Sequence, residues 1–375
     1  MRIVQIIPRL EAGGAERTTL DVSNAILAAG GSSLVLSRGG PLTHELTQDG
    51  GEFLSLAVDR KNPLIIWQNI TAIAKATADF EGQILHARSR APAWSARAAA
   101  QKLGLPFVTT YHGTYDSRFL LKRKYNSIMA SGDLVIANSK FIARHIEQTH
   151  GINANRIRVI ARGIDMHGFD PAHIKPARTI GLQQQLELSA KIPVIVMPGR
   201  LTRRKGQLIM LDALAQLFKN GRKAQLVLPG NANGRDDYAS QINRKIEQLG
   251  LQQYVRLPGH IPDMAALYAL ADLVICASVE PEAFGRVAVE AQAAAKPVIA
   301  TAHGGALETI EPGISGLLVT PGDATAITEA ITEILDMPAE TREKCGRNGQ
   351  ARVQKLFSLP AMCRSTLQLY AELLR

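Results

Sequence analysis

The chain has 375 residues, of which 46% are hydrophobic, and it carries a formal net charge of +10 at pH 7. This length predicts two domains of ordinary size, and the apolar content excludes an intrinsically disordered chain. The charge suits phosphate-bearing ligands or an anionic membrane, whereas an aromatic content of only 5% and the lack of a nucleic-acid-binding motif argue against a nucleic-acid partner.

The N-terminal residues 1–14 begin with a short apolar run that ends at a proline and is too short for a signal peptide. No other apolar run reaches the roughly 18 residues that predict a membrane span. The three cysteines, Cys276, Cys345 and Cys363, are too scattered for a disulfide framework or a Cys-x-x-Cys metal site. We therefore expect a cytoplasmic protein.

Short β-rich runs alternate with helical stretches along the chain. In the first half these runs are RIVQII, SSLVL, FLSLAV, QILHA, PFVTTY, LVIAN and RIRVIA. After a polar, helix-prone stretch at 177–191 the pattern restarts with IPVIVM, AQLVL, YVRL, DLVICA, PVIAT and GLLV. Apolar strands that alternate with helices indicate parallel sheets covered on both faces.

Because this pattern occurs twice, we predict an α/β fold of two doubly wound parallel-sheet domains. Residues 1–176 form the first domain and residues 177–358 the second, with a ligand site in the cleft between them. Residues 359–375 place apolar side chains on one face of a final helix, which caps the second domain or returns to the first. We favour the return to the first domain.

Gly13 and Gly14 follow the first strand and open the first helix. Glycines there allow a ligand to approach the backbone, and a helix N-terminus favours anions. The complete dinucleotide-binding fingerprint is absent, and a plain tight turn explains the two glycines equally well.

Arg200 and Lys205 follow the first strand of the second domain, five residues apart. Two fixed cations there would stabilise the charge that develops on a departing diphosphate. A basic surface loop, which Arg203 and Arg204 extend, is the alternative of equal weight.

Glu282 lies in the loop after the strand DLVICA, and Glu290 lies early in the helix that follows. An unpaired carboxylate among the Ala and Val residues around Glu290 would be costly, which favours a binding role over helix decoration. Free amides at the start of that helix suit a phosphate. The residues that would present them are Phe284, Gly285, Arg286 and Val287.

Taken in order, these motifs resemble those of retaining glycosyltransferases of the GT-B fold, which has two Rossmann-like domains, and especially glycosyltransferase family 4. The resemblance rests on GGAER, GRLTRRKG, the Glu-x7-Glu spacing and ATAHGGALETIEPGISGLLV, and extends over essentially the whole chain. It implies transfer of a hexose or related sugar, with retention, from a UDP- or GDP-sugar co-substrate and without a cofactor. The acceptor would be a lipopolysaccharide or another cell-envelope glycan or glycolipid.

The resemblance also implies residue roles. Arg200 and Lys205 would bind the diphosphate, and Glu290 the ribose. Glu282, with the amides of 284–287, would bind the sugar and phosphates. Gly13 and Gly14 would approach the donor phosphate from the first domain. The base would stack near the backbone of Ile261.

His112 ends the strand PFVTTY, where family 4 members often place a histidine against the donor sugar. Without the resemblance, a lone histidine at a strand end is more often a structural hydrogen-bonding group. We expect no metal, because no Asp-x-Asp pair occurs for a divalent ion. The adjacent Asp236 and Asp237 are predicted to form a surface turn.

The segment 117–127 mixes basic and apolar side chains without an acidic residue. Its basic members are Arg118, Lys122, Arg123 and Lys124. A basic, apolar helix suits an anionic inner-membrane surface or a phosphorylated glycolipid. The alternative is a packed helix with a charged outer face.

Two other functions remain open at this stage. A non-hydrolysing nucleotide-sugar epimerase shares the double-domain fold but makes no glycoside. A non-catalytic basic adaptor for membrane or nucleic acid has no use for Glu282, Glu290, Arg200 and Lys205 together.

Overall fold

The computed structural model describes the whole chain except residues 12, 61, 116–118, 233 and 235. The chain separates into two compact units: unit 1 comprises Met1–Gly163 and Leu359–Arg375, and unit 2 comprises Ile164–Ser358. The division comes earlier than the predicted residue 176, because the segment after Gly163 packs within unit 2. The ring of Phe169, for example, lies 5.9 Å from the ring of Tyr268.

Unit 1 contains, among the described residues, a seven-stranded sheet in the order β3-β2-β1-β4-β5-β6-β7. All pairs are parallel, and central Val4 pairs with both Leu34 and Leu85. The strands are β1 (Arg2–Ile6), β2 (Ser32–Ser37), β3 (Glu52–Ser55), β4 (Ile84–Ala87), β5 (Phe107–Tyr111), β6 (Leu134–Ala137) and β7 (Ile157–Val159). Each corresponds to a predicted run.

Unit 2 contains, within the described part of the chain, a six-stranded parallel sheet in the order β10-β9-β8-β11-β12-β13. Its strands are β8 (Val194–Val196), β9 (Gln225–Val227), β10 (Val255–Arg256), β11 (Leu273–Cys276), β12 (Val298–Thr301) and β13 (Gly316–Val319). The two sheets confirm the predicted α/β fold with two Rossmann-like domains.

Helices connect and cover the strands. They are α1 (Gly14–Ala28), α2 (Leu42–Gln48), α3 (Pro63–Asp79), α4 (Arg90–Leu103), α5 (Leu120–Asn126), α6 (Lys140–His150), α7 (Met166–Phe169), α8 (Pro176–Gln185), α9 (Gln207–Lys219), α10 (Asp236–Gln248), α11 (Met264–Leu270), α12 (Arg286–Ala293), α13 (Ala306–Thr309), α14 (Ala324–Asp336), α15 (Ala339–Leu356) and α16 (Leu359–Leu373). The surface turn predicted at Asp236 and Asp237 is wrong, because both residues lie in the first turn of α10. Acidic side chains are favourable there, since they face the positive end of the helix dipole.

Local sequence explains where these elements begin and end. The hydroxyl of Ser139 caps α6 by accepting a hydrogen bond from the amide of Ile142 at 3.0 Å, and Gly151 ends the helix with φ of +63°. Strand β1 buries Ile3, Val4 and other apolar residues on both faces, as a covered parallel strand requires.

Helix α16 belongs to unit 1. Its residues Met362, Leu369 and Tyr370 join a core cluster with Ile3 and Ile84 of the sheet. Leu369 of this helix is buried, whereas Leu374, just beyond its end, is 38% exposed. No helix among the described residues has both the length and the apolar character needed to span a bilayer.

Candidate active site

A cavity of about 280 Å³ opens in unit 2 at the carboxyl ends of three neighbouring strands. The loops after β8, β9 and β10 and the helices α11 and α12 line it, and such strand ends are the usual ligand position in parallel sheets. The cavity brings together three predicted site residues, Arg200, Ile261 and Glu290.

The floor of this cavity depends on backbone contact between two loops. The amide of Gly199 donates to the carbonyl of Pro229 at 2.9 Å. Gly230 has φ of +148°, and a Cβ on it would lie 2.1 Å from the carbonyl oxygen of Gly199. Any larger residue would therefore force the two loops apart.

Glu290 presents a buried, paired carboxylate to the cavity. Its Oε1 accepts from Nε of Arg286 at 2.6 Å, and its Oε2 accepts from the hydroxyl of Tyr268 at 3.0 Å. These partners meet the desolvation cost expected for this carboxylate and leave lone pairs for ligand hydroxyls. Burial, together with the charge of Glu290, raises the pKa of Tyr268 well above its ordinary value, so the phenol stays a donor.

Tyr268 was not predicted as a site residue. It lies in an Ala- and Leu-rich helix, so the sequence pattern indicates a core residue. Its site role could have been suspected only because the hydroxyl of a buried tyrosine needs a hydrogen-bond partner.

Glu282 and Lys205 form an ion pair with both side chains about one-fifth exposed. Nζ of Lys205 donates to Oε1 of Glu282 at 2.5 Å, and the hydroxyl of Ser278 donates to the same oxygen. Burial on its own raises the pKa of Glu282, but the charge and hydrogen bond of Lys205 and the hydrogen bond of Ser278 hold it below its ordinary value. Glu282 is therefore ionised at neutral pH.

The loop that carries Glu282 is held by the segment 301–305. The amide of Gly305 donates to the carbonyl of Glu282 at 2.8 Å, and Thr301 Oγ1 donates to the carbonyl of Ser278 at 2.7 Å. Gly304, with φ of +60°, lies so close that a Cβ would be 2.5 Å from the carbonyl of Glu282. This is the physical role of the Gly-Gly pair in the sequence AHGGAL.

Helix α12 begins at Arg286, with Gly285 as its N-cap at φ of +83°. The first-turn amides, which include those of Arg286 and Val287, have no carbonyl partner within the helix. The Phe284 side chain is buried against Phe357, with ring centroids 5.6 Å apart, so only its backbone remains for a ligand.

Arg200 and Lys205 differ in their surroundings. Arg200 is exposed at the cavity, and its side chain has no ion-pair partner among the residues that the structure describes. Lys205 is paired, and its side-chain carbons lie 3.3 Å from the position that a Cβ on Gly199 would take. Both cations therefore adjoin the cavity, one available to an anion and one shared with Glu282.

In unit 1, Gly13 is the N-cap of α1 and Gly14 its first residue. A Cβ on Gly13 would lie 2.1 Å from Oε2 of Glu16, so this carboxylate folds back over the start of the helix. The anion site predicted there therefore contains a carboxylate of its own, which would have to turn away before a phosphate could bind.

His112 directly follows β5 in unit 1. Its Nδ1 is 3.3 Å from Nη2 of Arg162, and its carbonyl accepts from Nδ2 of Asn138 at 3.2 Å. Its Nε2 is buried and has no hydrogen-bond partner in the described part of the structure. Burial, and then the charges of Arg162 and Arg88, lower the pKa of His112 well below its ordinary value.

A buried polar network beside His112 escaped the sequence reasoning. His86 bonds to the hydroxyl of Tyr370 at 2.6 Å and to Oγ1 of Thr110 at 2.7 Å. Arg88, only 2% exposed, donates twice to Oε1 of Gln5, at 2.9 and 2.6 Å. The available signal was HAR at the end of a strand whose other residues are apolar.

The described part of the basic segment, residues 119–127, presents apolar residues to solvent. Phe119, Leu120 and Leu121 are 61%, 83% and 84% exposed, whereas Tyr125 stacks on Trp94. The basic residues Lys122, Arg123 and Lys124 lie on α5, and Arg118 lies outside the described residues. A packed helix with only a charged outer face does not fit this exposure.

Two family models match the chain. "Glycosyltransferase Family 4" matches residues 12–167, and "Glycosyl transferases group 1" matches residues 181–352. Among solved structures, a glycosyltransferase from Rickettsia africae is 35% identical, with a TM-score of 0.91, over 100% of this chain and 98% of its own. Anabaena HepE in complex with UDP-glucose is 26% identical, with a TM-score of 0.84, over 99% of this chain and 100% of its own.

Curated relatives include D-inositol 3-phosphate glycosyltransferase 1 of Catenulispora acidiphila, which is 27% identical over 74% of this chain and 69% of its own length. The counterpart from Segniliparus rotundus is 31% identical over 66% of this chain and 54% of its own length. The chain thus spans about half to two thirds of the curated relatives that it matches.

Proposed function

This chain belongs to the group 1 glycosyltransferases of the GT-B fold, and we propose that it transfers a sugar from a nucleotide diphosphate to an acceptor with retention. The observation that carries the proposal is the unit 2 cavity, where available Arg200 and the paired carboxylate of Glu290 meet beside the Lys205–Glu282 pair. A nucleoside diphosphate offers the two groups that this arrangement recognises, an anion and a vicinal diol.

In the proposed reaction, the bond between the anomeric carbon and the diphosphate oxygen breaks, and negative charge grows on the leaving group. Arg200 and Lys205 stabilise that charge more in the transition state than in the ground state. The acceptor hydroxyl attacks from the face that the phosphate leaves and passes its proton to the departing phosphate oxygen. Because Lys205 and Ser278 already engage Glu282, we assign it to sugar binding rather than to nucleophilic attack.

We propose the sugar donor and the acceptor from different observations. The complex of HepE with UDP-glucose supports a UDP-sugar as the first donor to test. For the acceptor we propose a cell-envelope glycan or glycolipid, because the exposed basic and apolar segment at α5 suits an amphiphilic anionic molecule. His112 would contact the substrate sugar from unit 1.

We propose that turnover needs no divalent cation. Arg200 and Lys205 supply positive charge for the diphosphate, and both carboxylates of the site already bind a cationic side chain. Activity should survive EDTA. Loss of turnover on chelation, with recovery on adding Mg²⁺ or Mn²⁺, would contradict this assignment.

The function is tested by thermal-shift and calorimetric titration with UDP-, GDP- and ADP-sugars, followed by mass spectrometry of the product. Glu290→Ala should lower nucleotide affinity tenfold or more, because hydrogen bonds to a charged group are worth about 1.5–3 kcal/mol. Glu329→Ala, at an exposed residue of α14, is the matched control. Equal nucleotide affinities in the two folded variants would show that the donor does not bind at Glu290. Conversion of the sugar without an acceptor, with the diphosphate retained, would instead indicate an epimerase.

The segment at α5 carries a second proposal, that unit 1 docks on an anionic membrane. Each basic residue near such a surface contributes about 1 kcal/mol, and the exposed Leu120 and Leu121 add apolar burial. Replacing Lys122, Arg123 and Lys124 by Ser should abolish sedimentation with phosphatidylglycerol vesicles. A control variant with the same change in charge replaces the exposed unit 2 residues Lys175, Lys191 and Lys219. Wild-type protein that ignores these vesicles at low salt would exclude membrane docking.

A further inference from the structure

The guanidinium of Arg162 lies against one ring nitrogen of His112. Nη2 of Arg162 lies 3.3 Å from Nδ1 of His112, and a guanidinium donates hydrogen bonds but cannot accept them. Nδ1 must therefore be the acceptor, with its lone pair directed at Arg162. A neutral ring bonded in this way carries its proton on Nε2.

The surroundings of the ring keep it neutral. Burial is the main cause of the low pKa of His112, followed by the charges of Arg162, after β7, and Arg88, after β4. The elements packed around His112 carry other described ionisable groups. These are His86 on β4, Tyr370 and Cys363 on α16, Tyr115 after β5, and Asp21 on α1. Contact with the backbone of Arg88 raises the pKa of His112, but burial and the two charges outweigh it.

The protonated Nε2 has no well-aligned partner of its own. It is buried and makes no well-aligned hydrogen bond to any described residue, including the nearby backbone of Arg88, and a cavity of about 20 Å³ lies beside the ring. Such a cavity has room for one oxygen atom. An unsatisfied buried donor next to that space is costly unless an acceptor atom occupies it.

We propose that Arg162 is a positioning residue that holds His112 as the neutral Nε2–H tautomer, so that the ring donates to an oxygen of the substrate sugar without adding positive charge. The inference rests on the proposed function, in which His112 contacts that sugar. Protonation of the ring would place an Nδ1–H donor against the donors of Arg162. Acid should therefore displace the ring as well as charge it.

The first test uses the free protein and needs no substrate. Nitrogen-15 NMR of histidine-labelled protein, with His112→Gln to assign the signals, reports the tautomer and the pKa of His112. Wild type should show a bare Nδ1 and a protonated Nε2. Arg162→Gln keeps a neutral donor and should keep the tautomer while the pKa rises, whereas Arg162→Leu should lose both effects. A protonated Nδ1 in wild type, or a tautomer and pKa unchanged in Arg162→Leu, would overturn the proposal.

The second test measures kcat/KM against pH with the donor identified by titration. Removing the charge of Arg162 lets the pKa of His112 rise towards its ordinary value of about 6.5, which would reduce the neutral fraction at pH 6 up to about fourfold. Arg162→Gln should lose activity at pH 6 and approach wild type at pH 8. Arg162→Leu should be impaired at both pH values, and Arg162→Lys, which keeps charge and donor, should recover activity at both.

Together the two tests distinguish failure of the positioning role of Arg162 from failure of the proposed transferase function. If NMR gives the expected tautomer and every pH profile stays that of wild type, the positioning role is overturned while the transferase function stands. If no nucleotide sugar binds, the proposed function fails, and the NMR result still decides how Arg162 and His112 are arranged.

Discussion

The two units have the same kind of parallel sheet but treat buried charge in opposite ways. In unit 2, Glu282 accepts from Lys205 and Glu290 accepts from Arg286, so each carboxylate of the site has its own cation. In unit 1, the buried Arg88 and His86 are hydrogen-bonded to neutral groups, among them Gln5, Tyr370 and Thr110. The site carboxylates of unit 2 are thus paired with cations, whereas the buried cation Arg88 of unit 1 donates to a neutral amide and lies beside neutral histidines.

This difference predicts different responses to substitution and to pH. Removing one member of an ion pair leaves a partly buried charge without its partner, so stability and binding fall together. A buried neutral histidine instead couples stability to pH, because unfolding allows the ring to take up a proton. Arg200 is the informative exception in unit 2, since it serves no ion pair among the described residues.

The largest expected effect is on catalysis, and its accompanying change in stability distinguishes Arg200 from Lys205. Replacing either by Ala should lower kcat about 10²–10³-fold, because a fixed donor to the developing diphosphate charge is lost. Lys205→Ala should also lower Tm by at least about 2 °C, since Glu282 loses its cation, whereas Arg200→Ala should leave Tm unchanged. Steady-state kinetics measures kcat and calorimetry measures Tm for both variants. Equal losses of Tm would contradict the inference that Lys205, unlike Arg200, compensates a carboxylate in unit 2.

The next effect tests the buried neutral histidines of unit 1. Burial lowers the pKa values of His86 and His112 in the folded protein below the value of about 6.5 that each ring has when unfolded. As the pH falls, the unfolded chain therefore takes up protons before the folded protein does. The contribution of the two neutral rings to the free energy of unfolding is complete above pH 6.5 and decreases as the pH falls below it. While both rings stay neutral in the folded unit, the slope from each ring is close to zero well above pH 6.5 and approaches about 1.4 kcal/mol per pH unit well below it.

Urea unfolding between pH 5.5 and 7.5 measures this slope. Its probe is tryptophan fluorescence, because both tryptophans of the chain, Trp67 and Trp94, lie in unit 1. His86→Gln should lower the slope but not abolish it, because burial also lowers the pKa values of His112 and of His145 and His150 on α6. A slope that is the same in this variant and in wild type would show that His86 is not a neutral buried ring.

The smallest effect compares two residues of α16. Tyr370→Phe removes the hydroxyl bonded to His86 at 2.6 Å and should cost about 1–3 kcal/mol, because a buried ring nitrogen loses its partner. Glu372→Gln breaks only the pair with Arg158, in which both side chains are at least one-third exposed, and should cost at most about 1 kcal/mol. The same fluorescence assay measures both, and a larger loss in Glu372→Gln would reverse our ranking of the two contacts.

Sequence reasoning succeeded where structure follows from neighbouring residues. Strands of covered parallel sheets are continuous apolar runs, so β1 and β8 were visible as RIVQII and IPVIVM. The spacing of Glu282 and Glu290 was visible for the same reason, since it spans one loop and the start of one helix. Their roles as ligands stay predictions, as do those of His112 and Gly14.

The rest depended on contacts that sequence distance conceals. His86 and Tyr370 are 284 positions apart, so no local pattern could pair them. Tyr268 reaches Glu290 from another helix, and Glu16 folds over Gly13 only through its own side-chain conformation. The chain divides after Gly163 rather than after the predicted residue 176, and Phe169 meets Tyr268 across 99 positions, a contact that no local pattern reveals.

The position of α16 has a consequence for the order in which the chain can fold during synthesis. The ribosome makes residues 1–163 first, yet the core of this portion lacks Met362, Leu369 and Tyr370 until the final helix emerges. Unit 2, which is continuous in sequence, is complete before then. The nascent N-terminal unit must therefore wait, with the apolar surface that α16 later covers exposed to chaperones, while nearly two hundred further residues are translated.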